Sequence, residues 1–155
     1  MLLDGELDIG VINNENVPDD LETDHLLNVE MVAVVSPEHA LAKRKSISFD
    51  EFFEHELAMF KPGYFHRDFV ERKALEHDKE MKFSFETNLL PMILSIVKHE
   101  FAITALLKLV TEHEKDVVGV PFDDPVNLGL SLAWRKNGYL SIADRTFIEF
   151  VKQYV

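Results

Sequence analysis

An α/β fold is predicted by three features of this 155-residue chain. Short β-branched or alternating runs recur along it. Segments with helical period fall between them. Proline, glycine and asparagine sit at the junctions. Strands alternating with helices imply parallel pairing.

The first run is residues 2–12, LLDGELDIGVI. Gly5 gives a turn, and Leu7, Ile9, Val11 and Ile12 follow, broken only by Asp8 and Gly10. A strand this apolar is expected to be buried on both faces, with neighbours on both sides. At the head of a chain it reads as a fragment whose opening elements are missing, or as a strand covered by another molecule. Leaving its four large side chains bare forfeits about 1.5–3 kcal/mol each, and a bare edge invites pairing. A dimer or strand-swapped assembly burying Leu7 to Ile12 is therefore expected.

Asn13 to Pro18 is a polar loop, and Asn28 to Val35 (NVEMVAVV) a second strand, stopped by Ser36-Pro37. Glu38 to Ala42 is a short helical piece before the basic turn Lys43-Arg44-Lys45. Ser48-Phe49-Asp50-Glu51 has the spacing of a capping box and opens a short helix. Leu57 to Phe60 is a strand, and Lys61-Pro62-Gly63-Tyr64 a loop leading to a helix from Phe65 to His77. That helix carries a thin stripe, Phe65 and Phe69, and is expected at the surface. Met81 to Glu86 alternates as a half-buried strand.

Thr87-Asn88 is positioned to cap a helix over 89–99, with Leu89, Ile93, Ile96 and Val97 along one side and Pro91 in its first turn. Ala102 to Leu106 is strand-like, and Leu107 to His113 a helical turn. Val117 to Val120 and Leu128 to Trp134 read as two strands around Asp123-Asp124-Pro125. Ser141 with Asp144 opens a last helix. Ala143, Phe147, Phe150, Val151 and Tyr154 form its expected core-facing stripe.

Composition narrows the functions. There is no cysteine, which excludes disulfides, thiolate zinc sites and a cysteine nucleophile. The net charge is −12, and residues 1–60 carry −11 of it. Binding a phosphate backbone needs clustered cations, so this chain alone is not expected to bind nucleic acid. No apolar run reaches the ~20 residues of a membrane helix, and no leader is present; a cytoplasmic protein that does not engage membranes is expected. The histidines lack the spacing of a metal pair, and Asp19 to Asp24 lacks the glycine and closing glutamate of a calcium loop. His39 reads as part of a turn, and His55, His66, His77, His99 and His113 as solvated or helix-end residues. No phosphate loop, dinucleotide fingerprint or nucleophile elbow is present. Neither a metal, a cofactor nor a catalytic set is expected.

Three segments, in order and spacing, resemble the effector-binding domain of LysR-type transcriptional regulators. They are Leu3-Asp4-Gly5-Glu6-Leu7-Asp8-Ile9-Gly10-Val11; Val34-Val35-Ser36-Pro37-Glu38-His39-Ala40-Leu41-Ala42, continued by Ile47 to Phe52; and Ile96-Val97-Lys98-His99-Glu100-Phe101-Ala102-Ile103. Trp134-Arg135-Lys136 and Ser141 to Phe150 resemble the closing strand and helix. Glu100 and Ala102 stand where the family has glycines, so the turn there is expected to avoid a conformation that only glycine tolerates.

The resemblance implies a type-2 periplasmic-binding-protein-like fold: two α/β lobes joined by crossover strands, with the first lobe incomplete. Lobe one would hold residues 1–30 and 122–155, and lobe two residues 31–121. It also implies a non-catalytic sensor in the parent regulator, with a small effector for which a carboxylate is the expected group, a homo-oligomer (a dimer), and DNA engagement through a helix-turn-helix domain absent here. A solute-binding protein of the same fold is the alternative, with a lobe-type enzyme third.

The expected effector residues are Asn13, Lys61, Gly63, Tyr64, Phe65, Thr87, Asn88 and Thr104. Thr87 and Asn88 stand at a helix N-terminus, whose N–H groups and partial positive charge suit a carboxylate. The other reading of Asn88 is an ordinary N-cap. Lys61, Gly63, Tyr64 and Phe65 offer a cation, close backbone approach and an aromatic wall, or else make a plain Pro-Gly turn. Asn13 and Thr104 follow from the resemblance alone.

Overall fold

The computed structural model describes residues 2–3, 7–13, 17–136 and 138–154, with the side chain of Asn13 excepted. Gly5, assigned the opening turn, lies outside the described residues. The strands are β1 (Gly10–Asn13), β2 (Leu21–Val35), β3 (Leu57–Met59), β4 (Phe83–Glu86), β5 (Thr104–Leu107) and β6 (Val118–Arg135). The helices are α1 (Phe49–Phe52), α2 (Phe65–Glu76), α3 (Leu90–Lys98), α4 (Lys108–Glu112) and α5 (Ile142–Gln153). One sheet has the order β1-β6-β2-β5, and β3 and β4 form a second, parallel pair. Pairing is thus mixed, because β1–β6 and β2–β5 are antiparallel.

The chain divides into two units, Met1–Val29 with Asn127–Val155, and Glu30–Val126. The long strands β2 and β6 belong in part to each. The second unit holds most of the buried core. Val32, Val34, Ala58, Phe60, Ile93, Val97, Ala102, Leu106 and Val117 form one buried cluster. An aromatic group forms another part: the Phe49 ring stacks on Phe122 at 4.1 Å, and Phe52 meets Phe122 edge-on at 5.4 Å. Ala58 N–H donates to the Ile103 carbonyl at 2.9 Å, which aligns β3 in parallel with the start of β5. Gly119 is demanded by space, since a Cβ there would lie 2.9 Å from Val32 Cγ2.

Several expectations are corrected. β6 is one strand and not two. Residues 123–125 are exposed within it, and at an exposed stretch proline need cost no ladder bond. The α2 helix buries Arg67, Phe69, Val70 and Ala74, so its inner face is wider than the Phe65–Phe69 stripe. β4 alternates as expected, but all four of its residues are exposed. Only half of the first capping box forms. Ser48 Oγ accepts from Glu51 N–H at 3.1 Å, while the Glu51 carboxylate turns to Arg44 in a two-pronged pair at 2.9 and 3.0 Å. At α5 both halves of the box between Ser141 and Asp144 form, at 3.0 Å each.

In the first unit, β1 lies at a sheet edge with β6 as its one neighbour among the described residues, and Val11 is 60% exposed. It is not a central strand here. The α5 stripe is likewise uncovered: Phe147, Phe150 and Tyr154 are exposed, and Ile148 is the buried residue.

Glu100 reverses a further expectation. It adopts φ +62°, the left-handed conformation. Glu100 N–H donates to Val97 C=O at 3.0 Å and Phe101 N–H to Ile96 C=O at 3.1 Å, the paired closure of a Schellman turn. The hydrogen bonds hold a non-glycine residue where glycine is unstrained. Glu100→Gly will therefore raise stability by about 0.5–1 kcal/mol, the strain relieved less the added freedom of the unfolded chain. Urea midpoints of the two proteins measure it.

Candidate functional site

Parallel strands collect ligands beyond their carboxyl ends, where the following helices begin. In the second unit the parallel pair β3–β4 ends at Met59 and Glu86. From Met59 the chain passes through Lys61–Tyr64 into α2, and from Glu86 through Thr87–Leu89 into α3. Thr87 N–H donates to the Met59 carbonyl at 3.0 Å, tying the two exits together. Asn88 Nδ2 donates to Tyr64 Oη at 3.4 Å. Two helix N-termini are thus brought to one place.

Neither terminus is closed by a side chain. The N-cap residues are Tyr64 and Leu89, both with extended backbone and no side-chain cap bond. The sequence placed the α3 cap one residue early. Thr87 Oγ1 accepts from Leu89 N–H at 3.2 Å in a local turn, and Asn88 points to Tyr64 instead of capping the helix. At α3, Leu89 N–H is taken by Thr87, Pro91 has none and Met92 N–H donates to the Leu89 carbonyl at 3.1 Å, so the open N–H groups are chiefly those of α2, while both helices add their partial positive charge. Lys61 is exposed beside them and adds a full charge. Gly63 has φ +93°, and a Cβ there would meet nothing within 4 Å, so conformation and not space requires glycine.

Beneath these loops lie Arg67, which the sequence reading passed over, and His66, which it named only as a solvated or helix-end residue. Arg67 is buried. Its Nη1 donates to the Phe60 carbonyl at 3.1 Å and to Glu86 at 3.0 Å, and its Nε to Glu71 at 2.7 Å. It thereby ties both strand exits to α2. His66 stands in the first turn of α2, a helix end as expected, but it is half-buried and not solvated. It stacks on Phe60 at 5.1 Å, and its Nε2 is buried without a hydrogen-bond partner among the described residues. Burial pushes its pKa down to about 4, so the ring is neutral near pH 7. No spacing marks either residue; each follows the aromatic pair Tyr64-Phe65, the only local hint that this turn packs inward. By contrast, His77, His99 and His113 stand at the C-caps of α2, α3 and α4. His39 Nδ1 accepts from Leu41 N–H at 3.0 Å in its turn.

Of the eight expected residues, Lys61, Gly63, Tyr64, Phe65, Thr87 and Asn88 fall at this paired terminus. Tyr64 stacks on Phe60 at 5.7 Å, and Phe65 is half-buried against His66. Thr104 lies in β5 opposite Val34, fully enclosed, and its hydroxyl has no partner among the described residues. Asn13 stands in β1 opposite Leu130, in the other unit. A separate concavity of about 370 Å³ lies at α3 and the α4–β6 connection, lined by Leu94, Lys98, His99 and Asp116 among others. Its Lys98 is already paired with Asp116 at 2.9 Å. Among the described residues no group of three or more His, Cys, Asp or Glu could hold a metal, and no helix is long and apolar enough to cross a membrane.

The model of the LysR substrate binding domain matches residues 1–155. The HTH-type transcriptional regulator YwbI of Bacillus subtilis (strain 168) is 26% identical over 98% of this chain and 52% of its own length. The malolactic fermentation system transcriptional activator of Lactococcus lactis is 23% identical over 98% of this chain and 54% of its own. The chain thus spans about half the length of these relatives. Among solved structures, the regulatory domain of Synechocystis CcmR, in complex with 2-PG, superposes with TM-score 0.87 at 17% identity, over 99% of this chain and 76% of that one. The effector-binding domain of QuiR, in complex with shikimate, gives 0.81 at 22%, over 99% and 74%. With its whole length matched by the family model, the chain belongs to the LysR substrate-binding domain family.

Proposed function

We propose that this chain is the effector-sensing part of a LysR-type regulator and that it binds a small carboxylate-bearing molecule where α2 and α3 begin. The observation that carries the reading is the meeting of two uncapped helix N-termini beside Lys61. A carboxylate there would accept N–H bonds that the chain leaves open and would be favoured by both helix ends. The ligands named for CcmR and QuiR support a small-molecule partner. We assign the two units as the two lobes, with this site on the second.

The reading is non-catalytic: the polar groups at the site, Lys61, Tyr64, Thr87 and Asn88, include no nucleophile paired with a base. DNA reading is assigned to the remainder of a longer regulator, since a net charge of −12 opposes phosphate contact. A cytoplasmic setting and a homo-oligomer go with that role.

A thermal-shift screen of small carboxylates against their amides or methyl esters tests the proposal. Acids will raise the melting temperature and their neutral counterparts will not. Lys61→Met will weaken the best acid by roughly threefold to tenfold, the worth of one exposed charge near a helix end. Silence across a broad set, with a folded sample, contradicts the reading.

A further inference from the structure

A short 3₁₀ turn, Ala40–Lys43, follows β2 and is closed by a histidine. His39 is its N-cap, and His39 Nδ1 accepts from Leu41 N–H at 3.0 Å. An accepting ring nitrogen carries no proton, so this cap exists only while the imidazole is neutral. The other side-chain caps among the described helices are hydroxyls, Ser48 at α1 and Ser141 at α5, and these do not titrate near neutral pH. The turn also holds Leu41 in the core, at 6% exposure.

Two titratable groups face the ring from other elements. His55, just past α1, lies edge-on with its ring centre 5.4 Å away, and Glu100 acts from the turn that closes α3. Glu51, which acts on His55, is itself held by Arg44. Burial first, and then His55, hold the His39 pKa below 6.5, while Glu100 works against both. Protonation therefore turns the accepting nitrogen into a donor aimed at Leu41 N–H. It also places a charge in a half-buried position beside His55. In an opened turn the ring is hydrated and titrates near 6.5. The opened form takes up the proton first, so the closed population falls as pH drops below about 6.5.

We infer that the segment Ser36–Arg44 is an acid-operated latch: a proton on His39 Nδ1 releases Leu41 N–H, and the segment opens locally before the unit around it unfolds. Both of its ends are anchored. Val34, near the end of β2, pairs with Thr104 of β5, and Ile47 exchanges backbone hydrogen bonds with Pro121 and Asp123 of β6. The inference does not depend on the effector reading.

NMR hydrogen exchange on the whole chain, followed from about pH 7.5 to about pH 5, spans the range in which a histidine titrates. Corrected for the intrinsic rate, the Leu41 amide will lose roughly tenfold in protection, the worth of one cap, in step with the titration of the His39 ring. His39→Asn supplies an acceptor that does not titrate, so Leu41 will stay protected throughout. His66 is present in both proteins, and the difference between them therefore belongs to the turn. H55Q removes a like charge and will move the transition to higher pH. E100Q removes the opposing carboxylate and will move it to lower pH. If His39→Asn fails to fold, these two opposite shifts still decide. A Leu41 amide indifferent to the His39 titration, an equal loss of protection in His39→Asn, or a transition that H55Q and E100Q leave in place or move the wrong way overturns the proposal.

Discussion

Replacing Phe122 with alanine will cost about 3–5 kcal/mol of unfolding free energy, the range for removing a buried aromatic ring. Phe122 is 1% exposed, with one face against Phe49 and the Phe52 edge beside it. The backbone around it is pinned: Ile47 N–H donates to Pro121 C=O at 2.9 Å, and Asp123 N–H to Ile47 C=O at 2.8 Å. A site held on both flanks relaxes little into the space left by the ring, which places the loss toward the upper end. Phe150→Ala is the control. The sequence put that ring in a core-facing stripe, but it is exposed on α5, and its loss will cost under about 1 kcal/mol. Urea unfolding of both variants measures the contrast; equal losses would refute the burial pattern described for the two units.

Acid will weaken the fold through His66. Its folded pKa is about 4, while an unfolded histidine titrates near 6.5. On acidification the unfolded chain takes up the proton first, so stability falls as pH drops from about 6.5 to about 4 and is fully present above that window. Below it both states are protonated and this contribution changes no further. The full loss is on the order of 3 kcal/mol. His39, also lowered by burial and by the nearby His55, adds a contribution of the same sign. His66→Phe keeps a ring to stack on Phe60 and removes the titrating group. Its stability, compared with wild type by urea midpoints at pH 7 and 4.5, will decline less. Parallel declines would show that the imidazole is not held in its neutral form.

These two sites show what could be read before the structure and what could not. Periodicity located nearly every element, because a packed α/β unit imposes a two- or 3.6-residue apolar repeat on its strands and helices. It could not say whether an apolar face is covered. The stripes of α5 and β4 have the right spacing and remain exposed. Asp123-Asp124-Pro125 carries every local mark of a turn, yet it lies within β6.

The turn at Glu100 fails for a related reason. Residue preference disfavours a left-handed glutamate, but two helix-closing hydrogen bonds outweigh a cost of about 1–2 kcal/mol. At the candidate site, Gly63 and the polar pair Thr87-Asn88 were legible as local chemistry. The convergence of α2 with α3 was not, because it rests on the Met59–Thr87 bond and on Arg67, which join positions far apart in the chain.

The most direct test of the central claim is an amide-resolved NMR titration of the chain with the carboxylate that gives the largest thermal shift. Effector binding at the paired helix ends predicts that the main chemical-shift changes fall on the amides of Lys61–Arg67 and Thr87–Ile93, and that they shrink in Lys61→Met. Changes centred instead on the concavity near Lys98 and Asp116, or spread with no focus on α2 and α3, would contradict it.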